Sequence, residues 1–175
     1  MTITIKSNSD GVSGAIQING NDAVVFGTQG ITQGAPFSFR NKIINGDMRI
    51  DRRNAGAAVT TSGAYTVDRF SQTQSGGGVI SWARSTVCPA GFTNSLGATV
   101  TTADASIAAG DIYRLSQIIE GFNSADLAFG SASAKTVTLS FWVRSSITGT
   151  YCVGLQNGSF NRSYGTNYTI SAALS

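Results

Sequence analysis

The chain has 175 residues, of which 41% are hydrophobic and 12% charged, with 21 glycines and 2 prolines. That apolar content is enough for a folded core and excludes global disorder, and no apolar run reaches the ~18 residues a membrane-crossing helix needs. The absence of histidine removes the commonest general base and metal ligand, and the net charge of +3 is unevenly spread.

Short strands and turns are the expected elements, because apolar residues alternate among many Gly, Ser, Thr and Asn. TITIK at 2–6 alternates as a strand, and SNSDG follows as a turn. GAIQING at 14–20 is a second strand, NGND at 19–22 carries Asn-Gly turn chemistry, and AVVFG at 23–27 is a third strand. GTQGITQGAP at 27–36 reads as a linker. No apolar run of signal-peptide length opens the chain. Residues 1–34 thus form a β-meander too small to bury a useful core alone. Ile3, Ile5, Ile16, Ile18, Val24 and Phe26 are therefore expected to pack against other copies of the chain.

Residues 39–54, FRNKIINGDMRIDRRN, have Ile43, Ile44, Met48 and Ile50 as apolar anchors and Asn45-Gly46-Asp47 as a turn. Arg40, Lys42, Arg49, Arg52 and Arg53 stand there against Asp47 and Asp51. The tract is short, mixed with acids and free of interleaved aromatics, so ion pairs within or between subunits are expected rather than nucleic-acid contacts. Strands follow in regular succession at 64–72, 78–84, 98–102, 111–120, 135–145, 149–156 and 163–171, a spacing that suits a sandwich or barrel. NSADLAF at 123–129 reads as one helical turn capped by Asn123 or Ser124. In the clearest strand, 136–144, Val137, Leu139, Phe141 and Val143 form a core face. Thr138, Ser140, Trp142 and Arg144 form the other.

The segment Asn41 to Asn54, N-x-I-I-N-G-D-M-x-I-x-x-R-N, resembles a stretch found in many tailed-bacteriophage virion proteins, a group described as tail fibre or carbohydrate-binding proteins. YTVDRF, DIYRLSQIIEGFNSADLAFG, AKTVTLSFWVRSSITGTY and NRSYGTNYTI extend the resemblance over residues 39–172. The initial module resembles short β-repeats near fibre attachment regions. The stretch from Tyr113 to Val143 is also similar to galactose-binding-like jelly rolls, where a concave sheet face presents aromatics and amides to sugar. The resemblance implies an all-β chain: an N-terminal attachment and oligomerisation β-meander over 1–34, then a jelly-roll-type antiparallel β-sandwich over 35–175. It further implies a place in the virion, assembled in the host cytoplasm, with other virion proteins as partners, a homotrimer, and a host-surface polysaccharide as ligand. No cofactor, metal, nucleic acid or membrane insertion is expected. Members of the group continue beyond SAALS with further strands, so the sandwich is expected to be incomplete at its C-terminal side or completed by a neighbouring subunit.

Sugar sites combine aromatic platforms with amides and charges that orient hydroxyls. Trp142, Arg144, Gln117, Tyr151 and Gln156 are the glycan candidates. The alternative places Trp142 under a loop or at an intersubunit seam and pairs Arg144 with Glu120. Trp82 and Arg84 share a strand face and admit the same two readings, with core packing favoured over a ligand face. The cluster Phe160, Asn161, Arg162 and Tyr164 reads as a loop-borne contact site or as ordinary turn packing. Glycoside hydrolysis needs two carboxylates flanking the bond, and Asp47 and Asp51 sit among arginines that keep acids ionised. There is no G-x-S-x-G elbow, so no enzyme is expected. Asp68-Arg69 reads as a buried or semi-buried pair fixing a strand, QSGGGV at 74–79 as a flexible hairpin loop, and Cys88 and Cys152, which fit no metal spacing, as two free thiols in preference to a disulfide. The rival role is a capsid decoration or connector protein with no ligand.

Overall fold

The computed structural model describes residues 41–174 and, of the first 40, the backbone of four strands. These are β1 (Ile3–Ser7), β2 (Gly14–Ile18), β3 (Asn21–Gly27) and β4 (Gly30–Gln33). They pair consecutively into one antiparallel sheet. Its register sets Ile3 opposite Ile18, Ile5 opposite Ile16, and Ile16 opposite Val24. Phe26 stands opposite Gly14 on one side and Ile31 on the other. β4 lies where a linker was expected, because Gly-Ile-Thr-Gln supplies enough alternation to add an edge strand. Of the turns predicted between these strands, Ser7 closes β1 and Asn21 and Asp22 open β3; their other residues lie outside the described ones, as do the side chains of Ile3, Ile5, Ile16, Ile18, Val24, Phe26 and Arg40.

The chain is all-β. Its later strands are β5 (Tyr65–Val67), β6 (Phe70–Ser75), β7 (Val79–Ser85), β8 (Ser95–Thr102), β9 (Ile112–Gln117), β10 (Gly149–Gln156) and β11 (Ser163–Ile170). They form a three-stranded sheet β5-β6-β9 and the ribbons β7-β8 and β10-β11. A jelly-roll strand order is not among the ladders of the described residues. The contacts divide the chain into two compact units, Met1–Ala134 and Lys135–Ser175, a boundary inside the span expected to be one sandwich.

Two elements differ from expectation in the first unit. The strand predicted over 64–72 is a hairpin, with Val67 opposite Phe70 and Asp68-Arg69 as its turn. Arg69 takes a positive φ of 79° there. The turn lacks the Gly or Asn that ordinarily marks one, and from it the Arg69 guanidinium reaches Glu120 at 2.6 Å and Ile118 O at 3.2 Å. The predicted helical turn is shifted: a short helix α1 (Gly121–Ser124) starts after Glu120 with no side-chain cap, and a 3₁₀ turn (Ala125–Leu127) follows.

Among the described residues the buried centre is small and largely polar. Val67 and Phe70 are its apolar members, and Thr66, Gln72 and Asp51 are buried as well. Gln72 earns its position by bonding: its backbone N–H donates to Ala64 O at 3.0 Å and its carbonyl accepts from Gly63 N at 2.8 Å, while its amide donates to Thr61 O.

In the second unit the segment 135–145 forms no strand, which corrects the prediction of a paired strand with a buried face. Val137, Leu139, Phe141 and Val143 are each about half exposed. Alternation alone cannot make a strand where no neighbour supplies the ladder. The ribbon beside it is in full register from Gly149↔Ile170 to Gln156↔Ser163. Because directly opposed residues point to the same side, Tyr151, Val153, Leu155, Tyr164, Thr166 and Tyr168 share one face. Tyr151 stacks on Tyr168 at 5.8 Å, and Phe141 meets Tyr168 edge-on at 5.3 Å.

Candidate functional site

The distinctive segment 41–54 is an architectural knot. Asn45 sits at φ 58°. Its amide nitrogen donates to Ile50 O at 2.9 Å and Asp68 O at 2.8 Å, and its oxygen accepts from Ile50 N at 2.9 Å. Asp51 accepts from Asn54 N at 3.1 Å and Gly56 N at 2.6 Å. The Asn54 amide donates to Tyr65 O and Thr66 O. Asparagine and aspartate are required because their short side chains reach neighbouring backbone groups that no ladder satisfies.

The basic tract is absorbed in the same way. Lys42 pairs with Asp126 at 2.8 Å, Arg52 with Asp68 at 2.9 Å, and Arg49 with Asp47 at 3.7 Å. Arg53 lies 4.4 Å over the Tyr65 ring. Asp68 and Arg69, expected to pair with each other, turn to different partners: Arg69 bonds Glu120 at 2.6 Å. Adjacent residues of a tight turn point apart, which explains the exchange. The Arg52 guanidinium holds the Asp68 carboxyl below its usual range, and Arg69 does the same for Glu120.

The glycine run at 76–78 is packed, which corrects the reading of a flexible loop. The Tyr113 hydroxyl donates to Asp104 Oδ2 at 2.6 Å and accepts from Gly78 N at 2.8 Å. A Cβ on Gly76, which has φ 129°, would stand 2.5 Å from that hydroxyl oxygen. The bond lowers the Asp104 pKa and raises that of Tyr113. Asp111 accepts from Ala108 N at 2.7 Å. Every acid from Asp47 to Glu120 and on to Asp126 is thus tied to a named partner. Among the described residues no group of three or more potential ligands could hold a metal ion.

Exposed aromatic side chains occur in both units: Phe122 is 98% exposed in the first, and three stand out in the second. Trp142 is 77% exposed, Phe160 69% and Tyr164 70%. The β10–β11 loop that carries Phe160 is rigidly built. Asn157 N donates to Arg162 O at 3.0 Å and closes the loop, and Phe160 N donates to Asn157 O at 3.0 Å. Asn157 Oδ1 accepts from Asn161 N at 3.2 Å and Arg162 N at 3.1 Å, and its amide donates to Asn161 Oδ1 at 2.7 Å. Phe160 is held at φ 57°, a left-handed conformation that a bulky residue adopts only when its surroundings impose it. Such a loop presents an apolar ring at little further entropic cost on binding.

The glycan candidates separate. Gln117 belongs to the first unit and is spent on structure: its amide oxygen accepts from Ile44 N at 2.9 Å and its nitrogen donates to Ile44 O at 2.8 Å. Both ends of its amide thus serve the Ile44 backbone. Tyr151 is half-buried, its hydroxyl donating to Ile147 O and bonded to Ser145 Oγ, both at 2.9 Å. Trp142, Arg144 and Gln156 are exposed on the second unit. Phe160, Arg162 and Tyr164 are exposed on the same unit, with Phe160 in the β10–β11 turn and Tyr164 paired with Leu155 in the ribbon, so ordinary turn and strand structure accounts for their placement and leaves their side chains accessible. Trp82 is half-buried and bridges Val59 through its backbone, and Arg84 donates to Arg49 O at 2.9 Å. Cys88 and Cys152 are free thiols. Comparison with protein-family models, with curated proteins and with solved structures finds no match.

Proposed function

We propose that the chain is a non-enzymatic structural and binding component of a bacteriophage particle, of the fibre type, whose 135–175 unit contacts a host-surface glycan. The observation that carries this reading is the exposed set Trp142, Phe160 and Tyr164 on one small unit. Exposed aromatic rings supply flat apolar area for the faces of sugar rings, and nearby amides orient the hydroxyls. The likeness of segment 41–54 to tailed-phage virion proteins supports the particle, and the file of apolar residues along the N-terminal sheet supports a trimer. Several weak sites on one oligomer then act by avidity. A glycan array probed with the isolated oligomer, sized by light scattering, tests the reading. Binding is expected, and Trp142→Ala should weaken it about tenfold or more, as for an interface aromatic anchor. A blank array with a well-folded oligomer would refute it.

A second reading, a decoration or connector protein without a ligand, has its own support. The half-exposed apolar residues Val137, Leu139, Phe141 and Val143 lie on a segment without a ladder. Such a segment suits strand addition by another protein. That reading expects the blank array together with retained binding to particles.

A further inference from the structure

We propose that Asn157 is a site of self-catalysed modification, where the chain converts its own side-chain amide to aspartate and isoaspartate with water as the reagent. Asn-Gly pairs stand at 19–20, 45–46 and 157–158. In such a pair the glycine nitrogen can close a five-membered ring on the asparagine side chain, and the missing Cβ leaves its approach unhindered. At 157 the Gly158 nitrogen attacks Asn157 Cγ. The new N–Cγ bond forms, the Cγ–Nδ2 bond breaks, and the Gly158 amide proton leaves with Nδ2 as ammonia. Water then opens the succinimide at either carbonyl, giving aspartate or isoaspartate.

The fold separates the pairs at 45 and 157 by how each amide is used. Asn157 Oδ1 accepts from Asn161 N at 3.2 Å and Arg162 N at 3.1 Å. These donors lie where negative charge develops on the oxygen during attack, and the product carboxylate keeps both bonds, strengthened by its charge. Loss of ammonia breaks the bond from Nδ2 to Asn161 Oδ1 at 2.7 Å, and a half-turn of the Asn161 amide gives the new carboxylate a donor instead. Asn45 is arranged the other way. Its Nδ2 donates to Ile50 O and Asp68 O, while its Oδ1 accepts from Ile50 N. Ammonia loss there breaks two bonds and sets a carboxylate against two carbonyls. Asn157 and Gly158 are exposed and Asn45 is half-buried. A Cβ on Gly158 would meet nothing within 4 Å, whereas one on Gly46 would stand 3.2 Å from Ile43 Cγ2, so the backbone at 158 has the room to turn into the ring. Isoaspartate inserts an extra backbone atom into the loop that Asn157 N closes on Arg162 O, and the hold on Phe160 is thereby released.

The test incubates the full chain in mildly alkaline buffer, folded and in denaturant, and follows the exchange of amide for acid at each Asn-Gly pair by peptide mass mapping. In the folded chain Asn157 is expected to convert about tenfold faster than Asn45, the factor that the net worth of one hydrogen bond sets. In denaturant the two rates should converge. Gly158→Ala fits the space and a φ outside the left-handed region; it should slow conversion at 157 severalfold, leave Asn45 unchanged and keep the melting temperature. The proposal is overturned by conversion of Asn45 as fast as Asn157 in the folded chain, or by a Gly158→Ala variant that converts at the wild-type rate. A folded chain in which neither pair reacts while both do in denaturant overturns it as well.

Discussion

Asn45 makes three hydrogen bonds from a left-handed backbone conformation, and the two facts are linked. Asparagine is among the few non-glycine residues that tolerate this region, and its amide satisfies backbone groups across the turn. Asn45→Ala should therefore cost about 2–3 kcal/mol through lost bonds and a strained φ. Asn45→Gly keeps the conformation, loses the bonds, and should cost about 1 kcal/mol less. Chemical denaturation of the two variants checks the order; an alanine variant as stable as wild type would show that the amide is idle. The sequence marks Asn45-Gly46-Asp47 as a turn, and the structure has it there. What the segment does not disclose is that its polar residues are consumed internally, because the acceptors, Asp68 O and Tyr65 O, are distant carbonyls that carry no residue identity. The sequence marks Phe160 as a loop residue but not its backbone conformation: a phenylalanine at positive φ breaks the local rule, and only the Asn157 bonds of the folded loop impose it.

At the scale of elements, glycine at 76 is set by a neighbour rather than by the hairpin itself. Gly76→Ala would drive a Cβ into the Tyr113 hydroxyl and the Asp104 carboxylate, and it would do so at a φ that alanine resists. The variant should lose about 1–3 kcal/mol, as for overpacking, and should bring the Tyr113 ionisation back toward that of an ordinary tyrosine. Thermal unfolding and ultraviolet titration of tyrosinate read the two effects; unchanged titration with lowered stability would place the clash elsewhere. Period-two patterning locates β7, β10 and β11 to within a residue or two, because each has a hydrogen-bonded partner that makes its alternation effective. It fails at 136–144, where the pattern is strongest and no ladder forms, and at 64–72, where the pattern runs on through a turn made by Asp68 and Arg69. In both cases the deciding term is a tertiary neighbour.

At the scale of the molecule, the small number of buried apolar side chains among the described residues shifts weight onto polar bonds, and several of those bonds titrate. Asp68, Asp104 and Glu120 have lowered pKa values, from Arg52, Tyr113 and Arg69 respectively. The unfolded chain then binds protons at a higher pH than the folded one. Their contribution is complete above the ordinary carboxylate range near pH ~4 and is lost as pH falls through the lower folded values. Tyr113, bonded to Asp104, and Tyr168, partly buried against Tyr151, have raised pKa values. Folding holds those phenolic protons, so their contribution is complete below pH ~10 and is lost as pH rises through the folded values. With no histidine in the chain, no imidazole titrates between these limits. Stability should accordingly form a plateau from about pH 5 to about pH 9, with a decline on each side. Melting temperatures across that range check the shape, and Asp104→Asn should flatten the acid decline in part while also easing the alkaline one, since a single bond joins Asp104 to Tyr113. An acid limb unchanged in that variant would mean that the Asp104–Tyr113 bond does not bear on folding.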